Sequence, residues 1–324
     1  NFTIKTGIYT AAAAGPGKRR LFIVYNKKMK SRAGLLAEVR KMFPGREVTP
    51  LGHRGNSSLF AAGGMIIKYL PKSGLEKYLE VYRLLSGRSG IKLPKIIKIA
   101  GSEVSDSCLV AMERIEGTPL TDLWEGLPET GKKLVVRQFV RTLKQFHSVR
   151  FPGTIPPHFR PGSGVPDWKK EVYDSCFTEL EHCRKNKFIG RNLHGVLLSF
   201  LKGNIGAVPA AGYVLLHRDL NFNNVMAGKD LELTLLFDFE TCTAGDKYLD
   251  LVANGVFFEE KYRELLFELY GVPRNFKKLS GVYRLLAILC FLRTKKIQKG
   301  KEAGIAEFIK TGRSHGASPV AWIR

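Results

Sequence analysis

Two apolar runs in this sequence, VLLH at 214–217 and LTLLF at 233–237, each lead into a carboxylate. Asp219 follows the first run within HRDLNFNN, Asn224 lies five residues further on, and Asp238 follows the second run. Two strands joined by a short turn would bring Asp219, Asn224 and Asp238 to one edge. Phosphoryl transfer to a hydroxyl needs such a set: a carboxylate that orients and deprotonates the attacking oxygen, and hard oxygen ligands for magnesium. Magnesium in turn holds phosphates and offsets charge in a loose transition state. A lone His-x-Asp occurs by chance in many chains. The ordered set, His-x-Asp-x4-Asn, then an apolar strand, then Asp-Phe, is far more specific than an ordinary strand–turn–strand would produce.

Upstream residues fit the same chemistry. Lys68 is the polar member of GMIIKYL, where a lysine can reach the α- and β-phosphates of a nucleotide. A carboxylate from the following helix would hold it. Glu76 and Glu80 lie one turn apart there, and Glu80 is preferred because it precedes VYRLL at the packed end of the helix. The alternative is that these glutamates pair with Lys72 or Lys77 on the surface. Gly55, Asn56, Ser57 and Ser58 lie where a phosphate-covering hairpin would place backbone N–H groups and hydroxyls. Their spacing is not G-x-G-x-x-G, so this signal is weak. MERIEG at 112–117 follows a buried strand and precedes the helical half; adenine would bond to backbone groups from Glu113 to Ile115.

These residues need a frame, and the pattern supplies one. From residue 46, REVTPLGHRG, SSLFAA and GMIIKYL read as short strands. A helix follows from about Gly74 to Ser86, with Leu75, Tyr78, Leu79, Tyr82 and Leu85 on one face. Strands at 94–100 and 107–115 complete a small antiparallel sheet carrying one helix. After Gly117 the chain turns helical: KKLVVRQFVRTLKQFHSV at 132–149 carries a continuous apolar face, and two helices at about 168–186 and 191–202 precede the strand at 214. The expectation is a two-lobed α+β fold. Residues 1–45 would be a basic N-terminal extension with a short helix at 31–43, 46–116 a nucleotide-binding N-lobe, and 117–324 a helical C-lobe. Within the C-lobe, 151–212 would line the acceptor and 213–251 carry the catalytic loops.

Composition sets the wider bounds. With 324 residues, 44% hydrophobic and 25% charged, the chain can build two lobes with ample core. Its longest apolar run, VYRLLAILCFL, is interrupted by Arg284 and too short to span a bilayer. Five cysteines without a CxxC pair favour reduced thiols in a cytoplasmic protein. The net charge of +23 is concentrated at the ends: residues 1–50 hold 11 Lys/Arg against 2 Asp/Glu, and residues 274–324 hold 12 against 2. Such ends attract anionic glycans, an anionic membrane face or nucleic acid, the last not expected but not excluded, unless they are simply a solvated surface.

Taken together, GNSSLF, the strand Lys68, LVAMERIEGTPL, LKQFHSV, HRDLNFNN and FDFETCTAGDKYLDLVANGVFFEE resemble the protein-kinase-like superfamily, in its aminoglycoside phosphotransferase and choline kinase branch. The resemblance spans roughly residues 47–270. Protein kinases place a long activation segment ending in Ala-Pro-Glu after the second aspartate; here only 11 residues separate Asp238 from Asp250. The resemblance implies ATP and Mg2+ as cofactors, Asp219 as catalytic base, Asn224 and Asp238 as magnesium ligands, Lys68 on phosphate, and Asp250 as a brace for the catalytic loop. His217 reads as a packing residue. Arg218 departs from the Gly or Asn common in the branch and would contact an anionic acceptor or a neighbouring carboxylate. The acceptor would be a small molecule or sugar, lipopolysaccharide-type glycans included. Trp124, Trp168, Tyr173 and Phe177 are aromatics that could hold a cationic head group, or else core. Lys169, Lys170, Arg184, Lys185 and Lys187 surround Glu179 and Glu181, which disfavours a cationic drug. The competing class is a catalytically idle kinase-like protein whose basic termini bind nucleic acid or an anionic membrane.

Overall fold

The structure, a computed structural model, describes residues 32–54, 57–88, 92–103, 106–160, 167–210, 212–235, 239–292, 297, 300–313 and 323. Helix α1 (Arg32–Met42) leads into strands β1 (Val48–Arg54), β2 (Ser57–Ala62) and β3 (Met65–Pro71), then α2 (Lys72–Leu85), β4 (Ile96–Gly101) and β5 (Ser107–Glu113). The five strands form one antiparallel sheet in the order β1-β2-β3-β5-β4. Strand β3 is central. Residues alternate across its pleat, so Met65, Ile67 and Tyr69 face one side and Ile66, Lys68 and Leu70 the other. The first set packs with Leu35 and Val39 of α1, and Ile66 and Leu70 join the core shared with α2 and the helical lobe.

Helix α1, which the expectation placed in the basic extension ending at residue 45, thus packs on the sheet through Leu35 and Val39. The Tyr69 hydroxyl donates to the Leu35 carbonyl at 2.9 Å and to Glu38 Oε2 at 3.0 Å, and Glu38 Oε2 also accepts from the Ser102 hydroxyl at 2.7 Å. Only Leu35 and Val39 are deeply buried on α1 among the apolar residues, so its pattern is too sparse to read as a packed face.

The C-lobe begins with β6 (Thr118–Pro119), α3 (Leu120–Leu123) and the long α4 (Glu129–His147). At the entry, Gly117 sits at φ +152°, and a Cβ there would meet the Ala227 carbonyl oxygen at 2.8 Å, so the strand cannot close against its neighbour with a larger residue. Helices α5 (Trp168–Lys185) and α6 (Arg191–Asn204) lie between α4 and the next strand. Then follow β7 (Val214–Leu216), β8 (Val225–Ala227), β9 (Leu233–Leu235), β10 (Thr243–Gly245), α7 (Lys247–Gly255), α8 (Glu260–Tyr270), α9 (Phe276–Leu292) and α10 (Glu302–Thr311). Helix α9 is apolar on nearly every side because α5, α6, α7 and α10 all pack on it. No helix among the described residues is long and apolar enough to cross a membrane.

The insert's first tryptophan is a structural residue. Trp168 is 2% exposed, and its indole N–H donates at 2.9 Å to the Tyr283 hydroxyl, which donates at 2.6 Å to Asp246 Oδ2. A Cβ on Gly245 would meet the Trp168 ring at 2.5 Å, so the glycine before Asp246 is what lets this ring in. Trp124 is likewise core: it bonds Glu259 and packs against Phe222, Phe258 and Tyr262. Of the four candidate acceptor aromatics, Tyr173 and Phe177 alone stay near the surface, stacked 6.2 Å apart.

Candidate active site

Strand β7 ends in the interior, and the turn from His217 to Asn224 begins where its hydrogen bonds stop. The turn is fixed from below by Asp250 on α7, which is fully buried. Its Oδ2 accepts the His217 N–H at 2.6 Å and its Oδ1 the Arg218 N–H at 2.9 Å. Arg218 adopts φ +65°, a left-handed conformation that costs a non-glycine residue about 1–2 kcal/mol. The paired bonds to Asp250 hold it there. Burial would raise the Asp250 pKa, but His147 at 3.4 Å and the His217 N–H outweigh it and hold the carboxyl below its ordinary value. His217 is buried against Phe146 and Phe239, and its Nδ1 accepts the Asp219 N–H at 3.2 Å, as a packing and turn-shaping residue.

Asp219 emerges from this turn half-buried, with both carboxylate oxygens oriented. Asn221 Nδ2 donates to Oδ1 at 2.6 Å, and Asn224 Nδ2 donates to Oδ2 at 3.0 Å and to the Asp219 carbonyl at 2.7 Å. Asn224 commits its amide nitrogen to Asp219, which leaves the amide oxygen as the atom available to a cation. Sequence reasoning misses Asn221; its place in the turn between Asp219 and Asn224 is the signal that could have found it.

Lys68 is 1% exposed, and its ammonium pairs at 2.8 Å with Glu240 Oε1. The expected partner, Glu80, instead forms two hydrogen bonds with Arg83, at 2.6 and 3.0 Å, which lower its pKa. Glu76 is exposed. The reason is the rotation of α2, which buries Tyr78, Val81 and Leu85 and directs Gly74 and Lys77 at the turn after Asp238. A Cβ on Gly74 would lie 3.5 Å from Glu240 Cγ, and Lys77 Nζ donates to the Glu240 carbonyl at 3.3 Å. Lys77 is thus an interlobe residue, not a surface one, and burial lowers its pKa. The second oxygen of Glu240, Oε2, is buried without a hydrogen-bond partner among the described residues.

Other expected residues fall elsewhere. Gly55, Asn56 and Asp238 lie outside the described residues, and Ser57 opens β2. Ser58 is 2% exposed and stands two residues from Phe60 and four from Ala62 along β2. Alternation puts these three on the α1 side of the sheet, while Leu59 pairs with Lys68, so Ser58 lies on the face opposite Lys68. At the hinge, the N–H groups of Glu113 and Arg114 are taken by the carbonyls of Lys95 and Gly64, at 2.9 and 3.0 Å. A cavity of 820 Å³ touches Glu113, Arg114 and Ile115, but its other walls come from the end of α2, Lys92 and the β8–β9 turn, and none from the catalytic loop.

A small antiparallel lobe over a helical lobe is the protein-kinase-like fold. The chain belongs to the phosphotransferase enzyme family, whose model matches residues 65–277, and is a small-molecule kinase acting on a hydroxyl acceptor. No curated protein sequence matches it. The aminoglycoside phosphotransferase APH(4)-Ia superimposes with a TM-score of 0.65 at 17% identity, over 89% of this chain and 100% of its own. The GDP complex of wild-type aminoglycoside 2'-phosphotransferase-IIIa gives 0.62 at 14%, over 87% and 99%. ADP-bound APH(2'')-Ib gives 0.58 at 14%, over 88% and 98%. At these identities the likeness is one of fold.

Proposed function

We propose that the protein transfers the γ-phosphate of ATP to a hydroxyl of a small molecule or sugar, with magnesium, and that Asp219 is the base. The observation that carries this reading is the Asp219 carboxylate, anchored at both oxygens by Asn221 and Asn224 on a turn that Asp250 locks. A carboxylate fixed in this way is oriented before the acceptor arrives, which removes a reorganisation cost from the reaction. The acceptor hydroxyl gives its proton to Asp219 as its oxygen bonds to phosphorus, and the bond to the ADP oxygen breaks. Asn224 and Asp238 would hold magnesium, which supplies charge neutralisation at the phosphates; Glu240 Oε2, unpartnered among the described residues, is a further hard oxygen at the same turn. Lys68, held in place by Glu240, serves the phosphates. Ile115 carries the hinge N–H left for a nucleotide base, since those of Glu113 and Arg114 are used within the N-lobe.

The structural relatives support nucleotide use, being described as ADP- and GDP-bound, and one is described in a ternary complex with ADP and hygromycin B. Asp219→Asn keeps the volume and removes the base. Its transfer activity is expected to fall by about 10²–10⁴-fold with a melting temperature near that of the wild type. Activity retained in Asp219→Asn, or no magnesium-dependent transfer by the wild type to any of a broad panel of hydroxyl compounds, would refute the proposal.

A further inference from the structure

We propose that Lys77 and Arg218 form a subsite for an anionic group, phosphate or carboxylate, carried by the acceptor. The inference rests on the reading of Asp219 as the base for a hydroxyl acceptor and adds the class of that acceptor. The two cations come from different lobes and meet at one turn. Lys77 Nζ holds the Glu240 carbonyl from above, and Thr241, the next residue, donates its hydroxyl at 2.8 Å to the His217 carbonyl beside Arg218. Both cationic side chains are half-buried. Neither forms a salt bridge among the described residues: Glu240 Oε1 pairs with Lys68 and its charge reaches Lys77 only through space, while Asp250 is spent on the backbone N–H groups of His217 and Arg218.

Two partly desolvated cations that no carboxylate among the described residues bridges are costly in a folded protein unless an anion joins them. Arg218 also carries a conformational cost at φ +65°, and its guanidinium projects from the residue adjoining the catalytic base. Arg218 adjoins Asp219 in the chain, so an anion held by its guanidinium and the reacting hydroxyl can belong to the same acceptor. A planar guanidinium suits the two oxygens of a carboxylate or phosphate, and the ammonium adds a point charge. The acceptor insert offers little to a cation instead. On α5, Glu181 is taken by Arg184 at 2.8 Å and His194 at 3.0 Å, Asp174 by Lys170 at 2.5 Å, and Glu171 is 6% exposed. Glu179 keeps a carboxylate oxygen without a hydrogen-bond partner among the described residues, but that oxygen is buried.

Binding and transfer test this separately. With magnesium and a non-hydrolysable ATP analogue saturating, inorganic phosphate is titrated at constant ionic strength while the melting temperature is followed. Glucose 6-phosphate, glucuronate, glucose and a cationic aminoglycoside then compete. The wild type is expected to respond saturably to phosphate, to yield it to glucose 6-phosphate or glucuronate, and to ignore glucose and the aminoglycoside. Lys77→Gln and Arg218→Gln are each expected to weaken phosphate binding by roughly tenfold, and Lys77→Arg to restore it, which separates lost charge from lost folding. No phosphate response in the wild type, an unchanged one in both glutamine variants, or equal competition by the neutral or cationic compounds overturns the proposal. A response to phosphate that no anionic sugar displaces also overturns it, since the site would then take a free ion. Absence of any transfer, with the binding pattern intact, would refute the catalytic reading and leave the subsite standing.

Discussion

A lysine that is 1% exposed needs a counter-charge within reach, and for Lys68 that counter-charge is Glu240, 2.8 Å away and itself 23% exposed. Removing one partner of a buried pair costs roughly 3–5 kcal/mol; the access of solvent to Glu240 puts this pair toward the low end. Glu240→Gln keeps a carbonyl for the ammonium but loses the charge. The variant is expected to lower the melting temperature and to raise the KM for nucleotide about tenfold or more, because the Lys68 ammonium would lose the carboxylate that positions it. Glu80→Gln removes only an exposed pair with Arg83, worth about 0–1 kcal/mol, and is expected to leave nucleotide KM unchanged. Steady-state kinetics and thermal melts of the two variants side by side check this, and a Glu80→Gln defect matching that of Glu240→Gln would contradict it. The sequence could not have chosen between these partners. Glu76 and Glu80 are near Lys68 along the chain, whereas Glu240 is 172 residues away and becomes its neighbour only when α2 settles on the turn after Asp238. Asp219 and Asn224, in contrast, are legible because their spacing along one local turn already fixes their geometry.

Helix α7 sets two aspartates one turn apart and gives them opposite electrostatics. Asp246 caps its N-terminus, accepts from Tyr283, and has its pKa raised above 3.8, chiefly by burial. Asp250 is more deeply buried, yet its pKa lies below 3.8 because His147 and the catalytic-loop N–H group outweigh the burial. A carboxyl with a depressed folded pKa stabilises above its unfolded value and loses that contribution as pH falls through the folded one; a raised pKa does the reverse, weakening the fold as pH rises through it. Asp250→Asn turns an amide N–H₂ toward backbone donors, leaving at least one buried donor unsatisfied at roughly 1–3 kcal/mol, and it also frees Arg218 from its strained turn. Its melting temperature is expected to lie well below wild type at pH 7, and the gap to narrow at pH 3.5. Asp246→Asn keeps one oxygen and turns its amide nitrogen toward either the Tyr248 N–H or the Tyr283 hydroxyl. It also removes a buried charge, so its deficit at pH 7 is expected to be smaller than that of Asp250→Asn and to grow in acid. Melts across pH 3–8 decide this, and parallel curves for the two variants would count against it. At this scale the strands and long helices are legible from period and turn residues. The helix at 31–43 matches α1 closely, but its docking is not legible, since a surface helix with two deeply buried apolar residues carries almost no amphipathic signal. Trp168 and Trp124 read as acceptor aromatics only while their partners, Tyr283 and Glu259, are invisible at distances of more than a hundred residues.

For the molecule as a whole, the excess of 52 Lys/Arg over 29 Asp/Glu sets a term that no single contact reveals. If every carboxylate were paired, 23 cations would remain to repel one another. Salt acts on this repulsion and on the surface ion pairs with opposite signs, and distance decides which wins. The pairs, such as Lys41 with Glu103 at 2.8 Å and Lys261 with Glu129 at 2.6 Å, are far shorter than any Debye length. The Debye length falls from about 30 Å at 0.01 M to about 8 Å at 0.15 M. Added salt therefore removes the long-range repulsion first and leaves the close pairs mostly intact, and each exposed pair is worth only about 0.2–1 kcal/mol in any case. The melting temperature is expected to rise by several degrees between about 0.01 and 0.3 M sodium chloride, about 1 kcal/mol corresponding to roughly 2–4 °C in a chain of this class. Chloride is the proper salt for the measurement, because phosphate or sulfate would add occupancy at Lys77 and Arg218 to simple screening. A further rise in phosphate over chloride at equal ionic strength, absent in Arg218→Gln, would separate the local anion site from the global field. A melting temperature that falls with chloride would instead mean that surface ion pairs carry more of this fold than their distances and exposure imply.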